Sequence, residues 1–239
     1  MHNETNSSKI CAMTSRRTLL ASLIPFPLFA ADFWQVKKPA DWSDKEIKKL
    51  LTNSPWSQDQ TVELVGKTKT STNKKSSSNS NARNGGAPTR STTAEPKTSI
   101  VRITCASAKP VKIAIARKNY GADAGSKPEV IAALERVDPY YLITVDGIPS
   151  HASSKGPRGI VQLVQSTSVL KCAGKSPRLP NKVEIMQGEI GTLALITFTK
   201  ENPFTEDDKE VEFQLELGSK LVTKKFKLKD MVFDGKLEM

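Results

Sequence analysis

Apolar and polar residues alternate most cleanly in the last quarter of the chain. Val211, Phe213, Leu215 and Leu217 stand two apart, as the side chains on one face of a strand do. Leu221 to Leu228 follows after Gly218-Ser219, so the two runs predict a hairpin. Thr192 to Thr199 is a third β-rich run. Met231-Val232-Phe233 and Leu237, either side of Asp234-Gly235, are expected to complete the same sheet. Further upstream, Ile100 to Ala106, Tyr140 to Val145 and residues 168–172 read as strands, the second closed by Asp146-Gly147.

Helical spacing appears between these strands. Pro110 suits the first turn of a helix through Val111 to Lys118, although Val111, Ile113 and Ile115 also leave a strand open there. Ser126-Lys127-Pro128-Glu129 has capping-box spacing ahead of Val130, Ala133, Leu134 and Val137, and Pro139 stops the pattern. Residues 158–166 fit either helix or strand and are taken as a helix. Residues 100–239 are therefore expected to form an α+β domain, a mostly antiparallel sheet with two or three helices on one face. An all-β sandwich is the alternative if 110–118 and 158–166 are not helical.

Residues 32–65 predict a short helical segment. Ser43 and Glu46 have capping-box spacing, Ile47, Leu50 and Leu51 share a face, and Ser54-Pro55-Trp56 ends the helix. All three tryptophans of the chain, Trp34, Trp42 and Trp56, lie here. They either dock this segment on the main domain or offer an aromatic platform to a sugar or a partner. Residues 66–99 follow a different rule: 14 of the 34 are Ser or Thr and none is aromatic. Such a segment cannot offset its ordering entropy by burial, so it reads as a disordered linker.

The first 31 residues have the layout of an export signal. Arg16-Arg17 precedes an uncharged run from Thr18 to Ala31, with cleavage expected near Ala30 or Ala31 and Met13 as an alternative start. Two arginines ahead of Thr18-Leu19-Leu20 fit the twin-arginine route, and a basic head of this kind equally fits the general secretory route. The run falls short of the roughly 20 residues that a membrane-spanning helix needs, so no transmembrane anchor is expected in the mature chain. The expected location is periplasmic or extracellular.

Charge changes the picture less than its total suggests. The chain carries +11, but residues 66–99 hold seven bases against Glu95 alone. That concentrates the excess outside the fold and argues against a nucleic-acid groove, which needs clustered bases on a folded face. The basic linker either spaces the domain from its surroundings or holds an anionic envelope polymer.

Candidate chemistry is sparse. His151 sits in a Ser-rich loop with Ser150, Ser153 and Ser154, which is not a triad pattern. Glu206-Asp207-Asp208, with Glu201 and Glu210, lacks the ligand spacing of a calcium loop and reads as a solvated turn. No phosphate loop, zinc spacing or nucleotide fingerprint appears, so no cofactor is expected. Cys105 and Cys172 remain after removal of the signal, and an oxidising compartment would allow a disulfide between them. Two separate buried thiols are the alternative.

Phe33-Trp34, Asp41-Trp42-Ser43, Ser54-Pro55-Trp56, Ser107 to Lys112, Asp208 to Phe213, Phe226 to Met231 and Gly235 to Glu238 together resemble small exported proteins of unknown function from acidobacterial genomes. That resemblance implies export and no particular activity. The expected function is a non-enzymatic envelope protein, a binding or structural module whose partner is an envelope protein or an anionic envelope polymer. The competing expectation is an envelope hydrolase that works with carboxylates such as Glu201, Asp207 or Asp208. An apolar exposed groove would favour the first, and a carboxylate pair with opposed pKa shifts the second.

Overall fold

A computed structural model describes residues 32–64, 97–153, 155–218 and 220–239. The expected export signal, with Arg16, Arg17, Ala30 and Ala31, and residues 65–96 of the expected linker lie outside the described residues. Residues 32–239 form a single compact unit.

The unit begins with α1 (Phe33–Val36) and α2 (Asp44–Thr52), then β1 (Ser57–Leu64) and β2 (Lys97–Cys105). Next come α3 (Lys109–Tyr120), α4 (Pro128–Glu135), β3 (Tyr140–Ile148), α5 (Gly156–Thr167) and β4 (Val169–Cys172). The chain finishes with β5 (Lys175–Arg178), β6 (Lys182–Gln187), β7 (Thr192–Thr199), β8 (Glu210–Leu217), β9 (Lys220–Lys227), β10 (Val232–Phe233) and β11 (Lys236–Leu237). Every strand pairing is antiparallel, and the fold is α+β and rich in strand.

The strands make a five-stranded sheet in the order β1-β2-β3-β7-β6 and a four-stranded sheet in the order β5-β4-β8-β9. One apolar core joins them. Val101, Ile103, Val145, Ile196 and Phe198 enter it from the larger sheet, and Leu170, Phe213, Leu215 and Phe226 from the smaller. Phe198 and Phe213 meet edge to face across it, 6.3 Å apart. The two sheets thus share a core as a sandwich does, but α3 and α5 are helical, which removes the all-β alternative.

The N-terminal segment from Phe33 to Val62 belongs to this core. Ser43 accepts a hydrogen bond from the Glu46 backbone N–H while the Glu46 carboxylate accepts from the Ser43 backbone N–H at 2.8 Å, closing the expected capping box. Arg117 of α3 then clamps the chain ahead of α2. Its guanidinium donates to the carbonyls of Pro39, Ala40 and Trp42 at 3.2, 2.6 and 3.0 Å.

Four local expectations fail. The capping box at Ser126 does not form, because Pro128 opens α4 with Lys127 as its N-cap and the Ser126 hydroxyl turns back to the Asp123 carbonyl at 2.8 Å. Val137 lies beyond the helix, 88% exposed. The terminal β10–β11 ribbon does not extend a sheet; it packs on the N-terminal segment, where Phe233 meets the Trp42 ring and Val232 accepts a hydrogen bond from Gln35. Asp146-Gly147 also does not end its strand. Gly147 is a β-bulge within β3 at φ 90°, where a Cβ would run into the Ile100 carbonyl oxygen.

Candidate functional site

The sheet of five is apolar on both faces at its centre. Along β3, Tyr141, Ile143 and Val145 point into the shared core, so Tyr140, Leu142 and Thr144 point the other way. Along β7, Ala194, Ile196 and Phe198 face the core, which turns Leu193 and Leu195 outward beside them. Helices α3 and α4 cover this outer face only in part. A groove of about 620 Å³ remains, floored by Leu142, Leu193 and Leu195 and walled by Ile115, Tyr120 and Leu134. Ile115 is 40% and Tyr120 47% exposed.

One end of the groove is charged, with two cations on one carboxylate. Asp138 receives Lys112 at 2.6 Å and Arg136 at 3.0 Å, one on each carboxylate oxygen. Burial pushes the Asp138 carboxyl up, but the two cations outweigh it and hold it below its ordinary value. The rest of the rim carries Glu129, which brings the lining to two cations and two carboxylates, and the neutral polar Asn119, Tyr120 and Thr144. Such a surface can bind apolar groups and hydrogen-bond at its margin. It has no nucleophile activated by a neighbouring base.

The residues singled out from sequence lie elsewhere. Trp34, Trp42 and Trp56 are 5%, 2% and 0% exposed, and this burial withdraws the aromatic-platform reading. They dock the N-terminal segment. Trp34 meets Phe33 and Trp56 edge to face, Trp42 donates to the Lys37 carbonyl, and Trp56 donates to the Glu238 carbonyl at 2.8 Å, near the C-terminus. Cys105 and Cys172 are free thiols rather than a disulfide. They belong to different sheets, on β2 and β4, and each has its own polar neighbour, Ser107 Oγ and the Ala173 carbonyl respectively. Burial pushes the Cys105 thiol up to about 11, which suppresses its thiolate.

The carboxylates do not form an acid–base pair. Asp208 is held by Lys175 at 2.6 Å and by the Thr205 backbone N–H at 2.7 Å, which keep it ionised below its ordinary value. Glu201 and Asp207 are exposed. Among the described residues no three of His, Cys, Asp and Glu converge as a cation site. His151 lies in a short 3-10 turn, Ser150–Ala152. No helix among the described residues is long and apolar enough to cross a membrane.

Sequence reasoning missed the groove. Its signal was present in Thr192 to Thr199, where Leu193 and Leu195 occupy the positions that a solvated strand face would fill with charge.

The chain matches no family model, no curated protein and no solved structure. The groove must therefore be judged by its own chemistry.

Proposed function

We propose that residues 32–239 act as a non-enzymatic binding module of the cell envelope, whose groove accepts an apolar segment of a partner protein. The observation that carries this reading is the partly covered outer face of β3 and β7, where Leu142, Leu193 and Leu195 lie between helices that stop short of closing over them. Each leucine-sized side chain buried there would contribute about 2 kcal/mol. In this reading α3 and α4 are the helical layer on that face and serve as the groove's wall. A half-exposed, charge-balanced surface with a hydrogen-bonding rim suits polypeptide better than a charged polymer, which would need unpaired cations. Export rests on the basic, apolar and small-residue succession from Arg16 to Ala31, and the resemblance to exported acidobacterial proteins points the same way.

Selection of a random peptide display library on the purified chain tests the groove, followed by calorimetric titration with the selected peptides. The expected peptides carry spaced apolar residues, and Ile115→Glu weakens them at least about tenfold while circular dichroism shows an intact fold. Peptides that bind Ile115→Glu as well as wild type, or a selection that yields none, would overturn the reading.

A further inference from the structure

The two sheets have four edge strands, and three are blunted. β5 contains Pro177, which cannot donate to a ladder. β9 carries four lysines, of which Lys220, Lys225 and Lys227 are exposed, and charge on an edge strand opposes pairing with another chain. β1 lies against β9, where Gln60 donates to the Thr223 carbonyl. The fourth edge, β6, carries no such device; α5 packs against the strand, and its Gln165 donates to the carbonyl of buried Pro180, just ahead of β6, at 2.7 Å. No hydrogen bond from another element reaches the backbone of Val183, Ile185 or Gln187 among the described residues.

The ladder fixes which groups of β6 point outward. The Gly188 N–H donates to the Gly191 carbonyl at 2.8 Å, across the two-residue turn between β6 and β7. Hydrogen-bonded positions alternate in an antiparallel pair, so Met186, Glu184 and Lys182 turn their backbone groups to β7. Val183, Ile185 and Gln187 then turn theirs to the free side. The side chains of Lys182, Glu184 and Met186 share the outer face of the sheet, and they are exposed: Lys182 by 68% and Glu184 by 53% of the side chain, Met186 by 49% of the residue.

We propose that β6 pairs with β6 of a second copy of this chain, antiparallel and centred on Val183, joining two five-stranded sheets into one of ten strands. In this register Val183 lies opposite its own counterpart and exchanges two backbone hydrogen bonds with it. Lys182 then faces Glu184 of the second copy, and Glu184 faces its Lys182. The Lys182–Glu184 ion pair within one strand is thereby replaced by two pairs across the interface. Centring on Glu184 would oppose two carboxylates, and centring on Lys182 two ammonium groups, so charge selects Val183. The same register sets exposed Met186 against Pro180 of the second copy. Met186 also neighbours Leu193 across the β6–β7 ladder, so the apolar outer face continues from one copy's groove toward the other's.

Sedimentation equilibrium of the full chain tests this at protein concentrations up to roughly 1 mM, with Lys182→Glu and the exchange Lys182→Glu with Glu184→Lys as variants. Wild type is expected to dimerise. The single variant sets a carboxylate against Glu184 at both cross-strand positions and is expected to dimerise at least about tenfold more weakly. The exchange restores opposite charges in the same register and is expected to recover wild-type dimerisation. A wild-type chain that stays monomeric, a single variant that dimerises as wild type does, or a folded exchange variant that remains weak would each overturn the proposal. Because Lys182 and Glu184 lie outside the groove, peptide binding is expected to be unchanged in both variants.

Discussion

At the scale of single residues, Asp146 shows how a polar side chain can organise distant backbone. It is 7% exposed, and its carboxylate accepts from the N–H groups of Gly147 at 2.8 Å, Glu189 at 2.9 Å and Ile190 at 3.3 Å. It therefore pins the β6–β7 turn to the bulge in β3, and Gly188 leaves it room, since a Cβ there would collide with the carboxylate. Asp146→Ala takes the acceptor from three backbone donors, of which the Gly147 N–H is buried, and is expected to cost about 1 to 2 kcal/mol, read from the urea midpoint at constant slope. A loss below about 0.5 kcal/mol would show that water replaces the carboxylate at no cost. None of this was legible in the sequence, where Asp-Gly is a strong local turn signal. Its true partners lie 43 and 44 residues further on, beyond any local pattern. The cysteines failed for the same reason. Sequence spacing leaves a bond between Cys105 and Cys172 open, but pairing depends on where the fold places each strand, and β2 and β4 lie in different sheets.

Elements were legible where burial and propensity agreed. The β8–β9 hairpin and the capped α2 follow from period and capping residues, because each buries one face of a regular pattern, whereas α5, which has no side-chain cap, was open to helix or strand in the sequence. β1 escaped detection because Ser57-Gln58-Asp59-Gln60-Thr61 holds no apolar residue before Val62. It becomes a strand through pairing along its whole length with β2, which closes the distance between two segments that the sequence separates by a low-complexity stretch. α3 has a comparable long-range role. Through Arg117 it holds residues 39–42 by three carbonyls, with no carboxylate among those partners. Arg117→Lys keeps the charge but supplies only one ammonium centre for three diverging acceptors. Both Arg117→Lys and Arg117→Ala are therefore expected to speed amide exchange in residues 39–47 and to expose Trp42 to acrylamide quenching, with a stability loss of about 2 kcal/mol for alanine. Unchanged exchange there would mean that the aromatic packing of Trp42 alone fixes the segment.

At the scale of the whole molecule, ionisation favours the fold at neutral pH and abandons it in acid. Glu46 is held down to about 2 by Lys37 and by the two Ser43 donors of the capping box. Glu189 is lowered by Lys118 and Arg102, Asp208 by Lys175 and the Thr205 backbone, and Asp138 by Lys112 and Arg136 against the opposing effect of burial. All four carboxyls release their protons more readily in the folded chain than in the unfolded one. Their stabilisation is complete above the ordinary carboxyl range near about 4 and disappears as pH falls toward the folded values, because the unfolded chain then binds more protons. The alkaline side is different. Lys182 and Lys225 are raised by glutamates, so their contribution is present below about 10.5 and lost above it, whereas burial lowers Lys200 and Lys224, whose penalty is relieved as pH rises. These oppose one another. The urea midpoint is accordingly expected to stay level from neutral pH to about 5 and to fall steadily below it. Asp138→Asn separates the carboxylates from a general effect of net positive charge. It removes the most deeply buried of the four ion-paired carboxylates, so it should lower the midpoint at pH 7 and flatten the acid limb. A midpoint that rises on acidification, or an acid limb equally steep in Asp138→Asn, would mean that these pairs do not govern the acid stability of the fold.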